Sequence, residues 1–186
     1  MVENVQIDNA QVRFLNFEGR PGMYNNAGER NFCIFLDPER AELMARQGWN
    51  IKTLKARTSD DIEQDYIEVA VKFQGRNGPV RRPPRIVMIT SRGRTDLDEE
   101  TCHLVDVSEI KNVDLIIRAN EYDFNGRQGV KAYLKSFFMT LDEDVLEQRY
   151  AHVPVIGAAP EQPAISSRQQ AEIASRPHYD FEGEVV

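Results

Sequence analysis

Long hydrophobic runs are missing from this 186-residue sequence, and no stretch approaches the roughly 20 apolar residues of a membrane-crossing helix. The first residues, Met-Val-Glu-Asn, lack the basic region and apolar core of a signal peptide, so the sequence predicts a cytoplasmic protein. There are only two cysteines, Cys33 and Cys102, at a separation that matches no metal or redox spacing; Cys33 lies in an apolar run and is expected as a buried free thiol. The histidines, His103, His152 and His178, are scattered and form no zinc set. Phosphate-binding glycine loops and serine-nucleophile motifs are absent, and the acidic run from Asp60 lacks the glycine and final glutamate of a calcium loop. No cofactor and no catalysis are expected. Positive charge is also short: the net charge is −7, with 25 acidic and 21 basic side chains in residues 1–150 and five acidic and two basic in residues 151–186. This argues against coating a polyanion through bulk charge, so any such role has to rest on how the cations are distributed.

What is present is strand pattern. An apolar fraction of 41% is compatible with one globular domain plus a tail. Residues 5–17 and 30–37 are rich in β-branched and aromatic types. The first run changes phase twice: Val5 and Ile7 give way to Ala10, Val12 and Phe14, then to Leu15 and Phe17. A bulge near Asp8-Asn9 accounts for the first change, and bent first strands are what small closed barrels require. Between the two runs, Gly19, Gly22, Asn25-Asn26 and Gly28 permit sharp turns that present Arg20, Tyr24 and Arg30.

Downstream, Asp37-Pro38 marks a helix start and Gly48 its stop; Leu43 and Met44 are expected inward, and Trp49 as a packing anchor. A strand over residues 50–57 gathers Lys52, Lys55 and Arg57. The next, over residues 66–73, alternates Ile67, Val69, Val71 and Phe73 against Tyr66, Glu68, Ala70 and Lys72. A buried strand over 86–90 precedes Arg92 and Arg94, and a helical turn is expected near 106–110. Asn125-Gly126 joins strands 113–124 and 130–141 into a hairpin. In its second strand, Lys131, Tyr133, Lys135 and Phe137 are expected on one face, interleaving cations with rings, and Val130, Ala132, Leu134, Ser136 and Phe138 on the other. A short helix over 142–150 closes the body. Residues 151–186 read as a flexible Pro/Ala/Ser/Gln-rich tail, unable to bury enough surface to order itself, with an acidic tip.

Asn16-Phe-Glu-Gly19, Tyr24-Asn25, Gly28-Glu-Arg-Asn-Phe32, Gly48-Trp-Asn50, Arg82-Pro-Pro-Arg-Ile86 and Lys111-Asn-Val-Asp-Leu-Ile-Ile-Arg118 together resemble the single-stranded DNA-binding proteins of tailed bacteriophages. The resemblance covers about the first 150 residues plus the acidic tip. It implies a mostly β, OB-fold-like closed five-stranded barrel with one or two short helices and a disordered acidic C-terminal tail. It also implies a protein that coats and protects single-stranded DNA without reading sequence during phage replication and recombination, in the host cell cytoplasm. The tail residues that match are Asp180, Phe181, Glu182 and Glu184, positions that contact replication or recombination proteins or compete with DNA. The helix after the second strand and the acidic body depart from the usual pattern, which leaves an insertion or altered connectivity open. The expected DNA-binding set is Arg20, Arg30, Lys52, Lys55, Arg57, Lys72, Arg92, Arg94, Lys131 and Lys135 toward phosphates, with Tyr24 and Tyr133 toward bases. Two rival classes remain: a virion or assembly interaction protein, and a metal-dependent nuclease built on Glu109-Ile-Lys111 with Asp96 or Asp98. Monomer and dimer are both open.

Overall fold

The computed structural model describes residues 2–23, 25–56, 62–75, 78–124 and 126–154. Two units are distinguished, Met1–His152 and Val153–Val186; of the second only Val153 and Pro154 are described, so the expected tail and its acidic tip lie outside the described residues.

Alternation at the sequence level becomes strand after strand. In chain order these are β1 (Val5–Ile7), β2 (Gln11–Asn16), β3 (Arg30–Phe35), helix α1 (Pro38–Arg46), β4 (Ile51–Leu54), β5 (Gln64–Val71), a small hairpin of β6 (Gln74–Gly75) and β7 (Gly78–Pro79), β8 (Arg85–Thr90), β9 (Gly93–Leu97), a 3₁₀ turn (Cys102–Val107), β10 (Ile110–Phe124), β11 (Arg127–Leu141) and helix α2 (Val145–Tyr150). Nine strands form one sheet whose main path is β1-β10-β11-β5-β3-β2, with β4 on β5 and the β8–β9 pair on β11. The 15-residue strand β11 is the spine: it pairs β10 antiparallel throughout, while its other edge meets β5 at Ala132–Tyr133 and β8 at Ser136–Thr140, both parallel.

The expected closed five-stranded barrel is corrected to a curled, open sheet. The reason lies in the first run, which breaks where its phase changes: Asn9 takes a positive φ of 49°, β1 pairs β10, and β2 pairs β3. Its halves therefore stand at opposite ends of the strand order, and no ladder joins them among the described residues. One hydrogen bond, from the Ala10 amide to the Val113 carbonyl at 2.7 Å, spans the break.

The second phase change is a bulge. Phe14 takes φ 54°, the β2–β3 register slips between Arg13 and Asn16, and Phe17 reaches the core. There it stacks on Phe32 at 5.4 Å, and both meet Phe137 edge-on at 5.3 and 5.5 Å. Burial of each such ring is worth about 1.5–3 kcal/mol. Ile34, Ile67, Val69, Ile86, Leu115 and Ile117 complete the centre.

Phe137 is a second correction. A register shift opposite Ile116–Ile117 inserts one extra residue at Lys135–Ser136, so Val130, Ala132 and Leu134 face the core, and then so do Phe137 and Met139. Phe138 takes the outward position, beneath the Arg85 guanidinium at 5.5 Å.

Helix α1 begins as its sequence requires, with Asp37 accepting from the Arg40 amide at 2.8 Å, and ends at Gly48, φ 87°. Ala41 and Met44 are buried, whereas Leu43 is 56% exposed, one position off the inward stripe and contrary to expectation. Trp49 is buried and bridges to Val130. Cys102, rather than Cys33, is the fully buried thiol.

Candidate nucleic-acid interface

Registers across β2, β3, β5, β11 and β10 order the side chains of the outer face into three rows. The first runs Gln11, Phe35, Tyr66 and Lys52. The second runs Arg13, Cys33 and Glu68, and continues through Lys131 to Asn120. The third runs Asn16, Asn31, Ala70, Tyr133 and Arg118. Successive rows are about 6.7 Å apart along the strands, and five strands make a face about 19 Å wide. The face carries both rings and cations, Phe35, Tyr66 and Tyr133 with Lys52, Arg13, Lys131 and Arg118. Arg13 lies over the Phe35 ring at 5.8 Å, and Phe14, 63% exposed, meets Phe35 edge-on at 6.2 Å. The loop before β3 rests on this face through Asn25, whose Oδ1 accepts from Asn31 Nδ2 at 2.7 Å.

Glu68 stands at the centre, where β4 gives way to β11 along one edge of β5. It accepts from Lys52 Nζ at 2.6 Å and from Asn31 Nδ2 at 3.3 Å. Partial burial pushes its carboxyl up, but the Lys52 hydrogen bond and charge, with Lys131 and Asn31, outweigh this and hold it below its ordinary value. The same hydrogen bond raises Lys52. Beside them, burial and then the charge of Glu68 push the Cys33 thiol up to about 11 against the opposing pull of Lys52, so it stays protonated.

Of the expected DNA-binding residues, Lys52, Lys131 and Tyr133 are brought together in these rows, and Lys72 follows β5 with the parity of Glu68 and Ala70. Lys55 is exposed just beyond β4, and Lys135 is exposed in the β11 bulge. Arg20 is exposed and paired with Glu18 at 2.5 Å. Arg30 turns inward instead: it stacks on Phe73 at 5.6 Å, bonds Glu99 at 3.1 Å, and only 20% of its side chain is exposed. Arg94 pairs with Ile89, itself level with Thr140, so it lies roughly 20 Å along β11 from Tyr133. Arg92 is held by Glu147 of α2 at 3.0 Å. Tyr24, Arg57, Asp180, Phe181, Glu182 and Glu184 lie outside the described residues.

Of the carboxylates in the nuclease rival, Asp96 bonds Arg85 at 3.0 Å, and the Thr101 hydroxyl and amide hold the Asp98 carboxyl below its ordinary value.

The family model described as "Putative phage ssDNA-binding domain" matches residues 1–176. The chain belongs to that family. Single-stranded DNA binding is the activity this membership carries. No curated protein sequence matches the chain. Among solved structures, the single-stranded DNA-binding protein of bacteriophage Enc34 in complex with ssDNA is similar at 12% identity and TM-score 0.47, over 76% of this chain and 88% of that one. The gp2.5 single-stranded DNA-binding protein of bacteriophage T7 is similar at 13% identity and TM-score 0.37, over 76% and 93%.

For this member of the phage ssDNA-binding family, the outer face contains residues beyond those expected: Arg13, Phe14, Phe35, Tyr66, Glu68 and Arg118. Arg118 was within reach of the sequence. A two-residue connection, as an Asn-Gly sequence suggests, requires Phe124 opposite Arg127, and counting back along both strands then sets Arg118 opposite Tyr133, the register observed. Arg13 and Phe35 had no such signal, because the long loop joining β2 to β3 does not specify a register.

Proposed function

We propose that this protein is a non-catalytic single-stranded DNA-binding protein that holds its ligand across the outer face of β2, β3, β5, β11 and β10. Lys131, Lys72 and Arg118, which form no ion pair among the described residues, neutralise phosphates, and Tyr133, Tyr66 and Phe35 offer stacking surfaces. The observation that carries this is the placement of Tyr133 between Arg118 and Ala70, one row from Lys131: a partly exposed ring beside cations that form no ion pair among the described residues. The fold relation to OB proteins belongs to this reading, as does action in the host cytoplasm during replication and recombination. No described helix is long and apolar enough to cross a membrane. The tail residues Asp180, Phe181, Glu182 and Glu184 are proposed to contact replication proteins or to compete with DNA for the cationic face.

Each stacked base is worth about 1–3 kcal/mol. Tyr133→Ala is therefore expected to weaken oligonucleotide binding by about five-fold or more without lowering the melting temperature. Unchanged affinity removes Tyr133 from the interface, and a labelled duplex binding as tightly as the single strand overturns the preference for single strands.

A further inference from the structure

A surface whose only task is to grip phosphates has no use for a carboxylate at its centre, yet Glu68 is there, ionised and 36% exposed. A phosphate within a few ångströms of it is repelled, so the backbone is directed toward Arg118, Lys72 and the side of Lys131 away from Glu68, and the bases face the middle. In that position Glu68 lies two residues from Tyr66 along β5, and Ala70, two residues the other way, is level with Tyr133. A base stacked on either ring and turned toward the middle of the face brings its edge to the carboxylate. An ionised carboxylate only accepts hydrogen bonds. Cytosine and adenine present an exocyclic amino donor, whereas thymine presents an O4 acceptor in that place and keeps one ring N–H between two carbonyls. The neighbouring donors are already engaged: Asn31 Nδ2 donates to Asn25 and to Glu68, and Lys52 Nζ is held on Glu68 Oε2 at 2.6 Å.

We propose that Glu68 is a specificity-determining residue that accepts from the exocyclic amino group of bases stacked on Tyr133 and Tyr66, so that the face discriminates against thymine. The proposal rests on the reading of this face as the DNA-binding surface. Binding then stays independent of sequence order while depending on base composition.

The test is a set of anisotropy titrations of the full chain with labelled oligo(dC), oligo(dT) and an abasic strand of equal length, using wild type, Glu68→Gln and Glu68→Ala. The expected result is that the ratio of oligo(dC) to oligo(dT) affinity falls by about five-fold in Glu68→Gln, the low end for a base-edge contact, and by at least as much in Glu68→Ala. The abasic strand, which has only phosphates to offer, binds both variants more tightly. If all three strands tighten by the same factor, Glu68 acts only as a charge and the proposal is overturned, while the DNA-binding reading stands. If no strand binds the wild type, both fall.

Discussion

Two arginines of the same expected set, Arg30 and Arg20, illustrate what a single position decides, since their side chains have different partners despite identical chemistry. Arg30 shares the inward parity of Phe32 and Ile34 and spends its guanidinium on Phe73 and Glu99, whereas Arg20 is exposed beside Glu18. Phe14 is the opposite case, an apolar ring left exposed on a backbone that most residues avoid. Such a conformation costs on the order of 1–3 kcal/mol and is retained where function needs it. Phe14→Gly is expected to raise the melting temperature and lower oligonucleotide affinity together; loss of stability would show that the ring serves packing. The Lys52–Glu68 pair makes a prediction about pH. The carboxyl is depressed, so its contribution is present above its ordinary 4.5 and is lost as pH falls through the lower folded value. The ammonium is raised, so its contribution is present below its ordinary 10.5 and is lost as pH climbs through the higher folded value. Both side chains are more than a third exposed, which limits the pair to about 0.2–1 kcal/mol. Denaturant titrations should show Lys52→Met less stable than wild type by that margin between these limits, with the gap closing in acid.

At the level of elements, local chemistry set existence and type, and tertiary contact set the details. Asp37, Pro38 and Gly48 bracket α1 as their capping and turning preferences require. Which residues of α1 are buried was decided by where the sheet lies, so Ala41 and Met44 took the inward stripe and Leu43 did not. Gly48 also bonds Val130 through its carbonyl at 2.8 Å, tying the helix end to β11. Gly48→Ala forces a side chain onto left-handed backbone, and a cost of about 1–2 kcal/mol should lower the melting temperature by roughly 2–8 °C. An unchanged melting curve would show that the left-handed conformation is dispensable. The hairpin was legible to its closing pair, Phe124 opposite Arg127, with Gly126 at a positive φ of 76°. Its bulge was not. No residue type at Lys135–Ser136 demands an insertion; what demands it is a core that takes in the Phe137 ring against Phe17 and Phe32.

For the whole molecule, a net charge of −7 coexists with a face where Lys72, Lys131 and Arg118 have no ion-pair partner among the described residues. Three to five phosphate contacts imply a slope of about −2 to −3.5 for log affinity against log salt. Lys131→Ala should flatten that slope by about 0.7 while leaving Tyr133 stacking in place. Deleting residues 177–186 should leave affinity intact or tighten it, and a large loss would refute a competing tail. A salt slope that Lys131→Ala does not change would place the phosphates elsewhere.

The sequence by itself determined the strand-rich class, the capped helix, the hairpin and a change of phase at Asp8–Asn9, expected as a bulge and found as a break between β1 and β2, because each rests on a local preference for backbone conformation or on a two-residue period. Only the tertiary structure decided that the curled sheet stays open, that Phe137 turns inward and that Glu68 is ringed by Lys52, Asn31 and Lys131. These depend on which strands become neighbours and in what register, and register is set by packing between residues far apart along the chain.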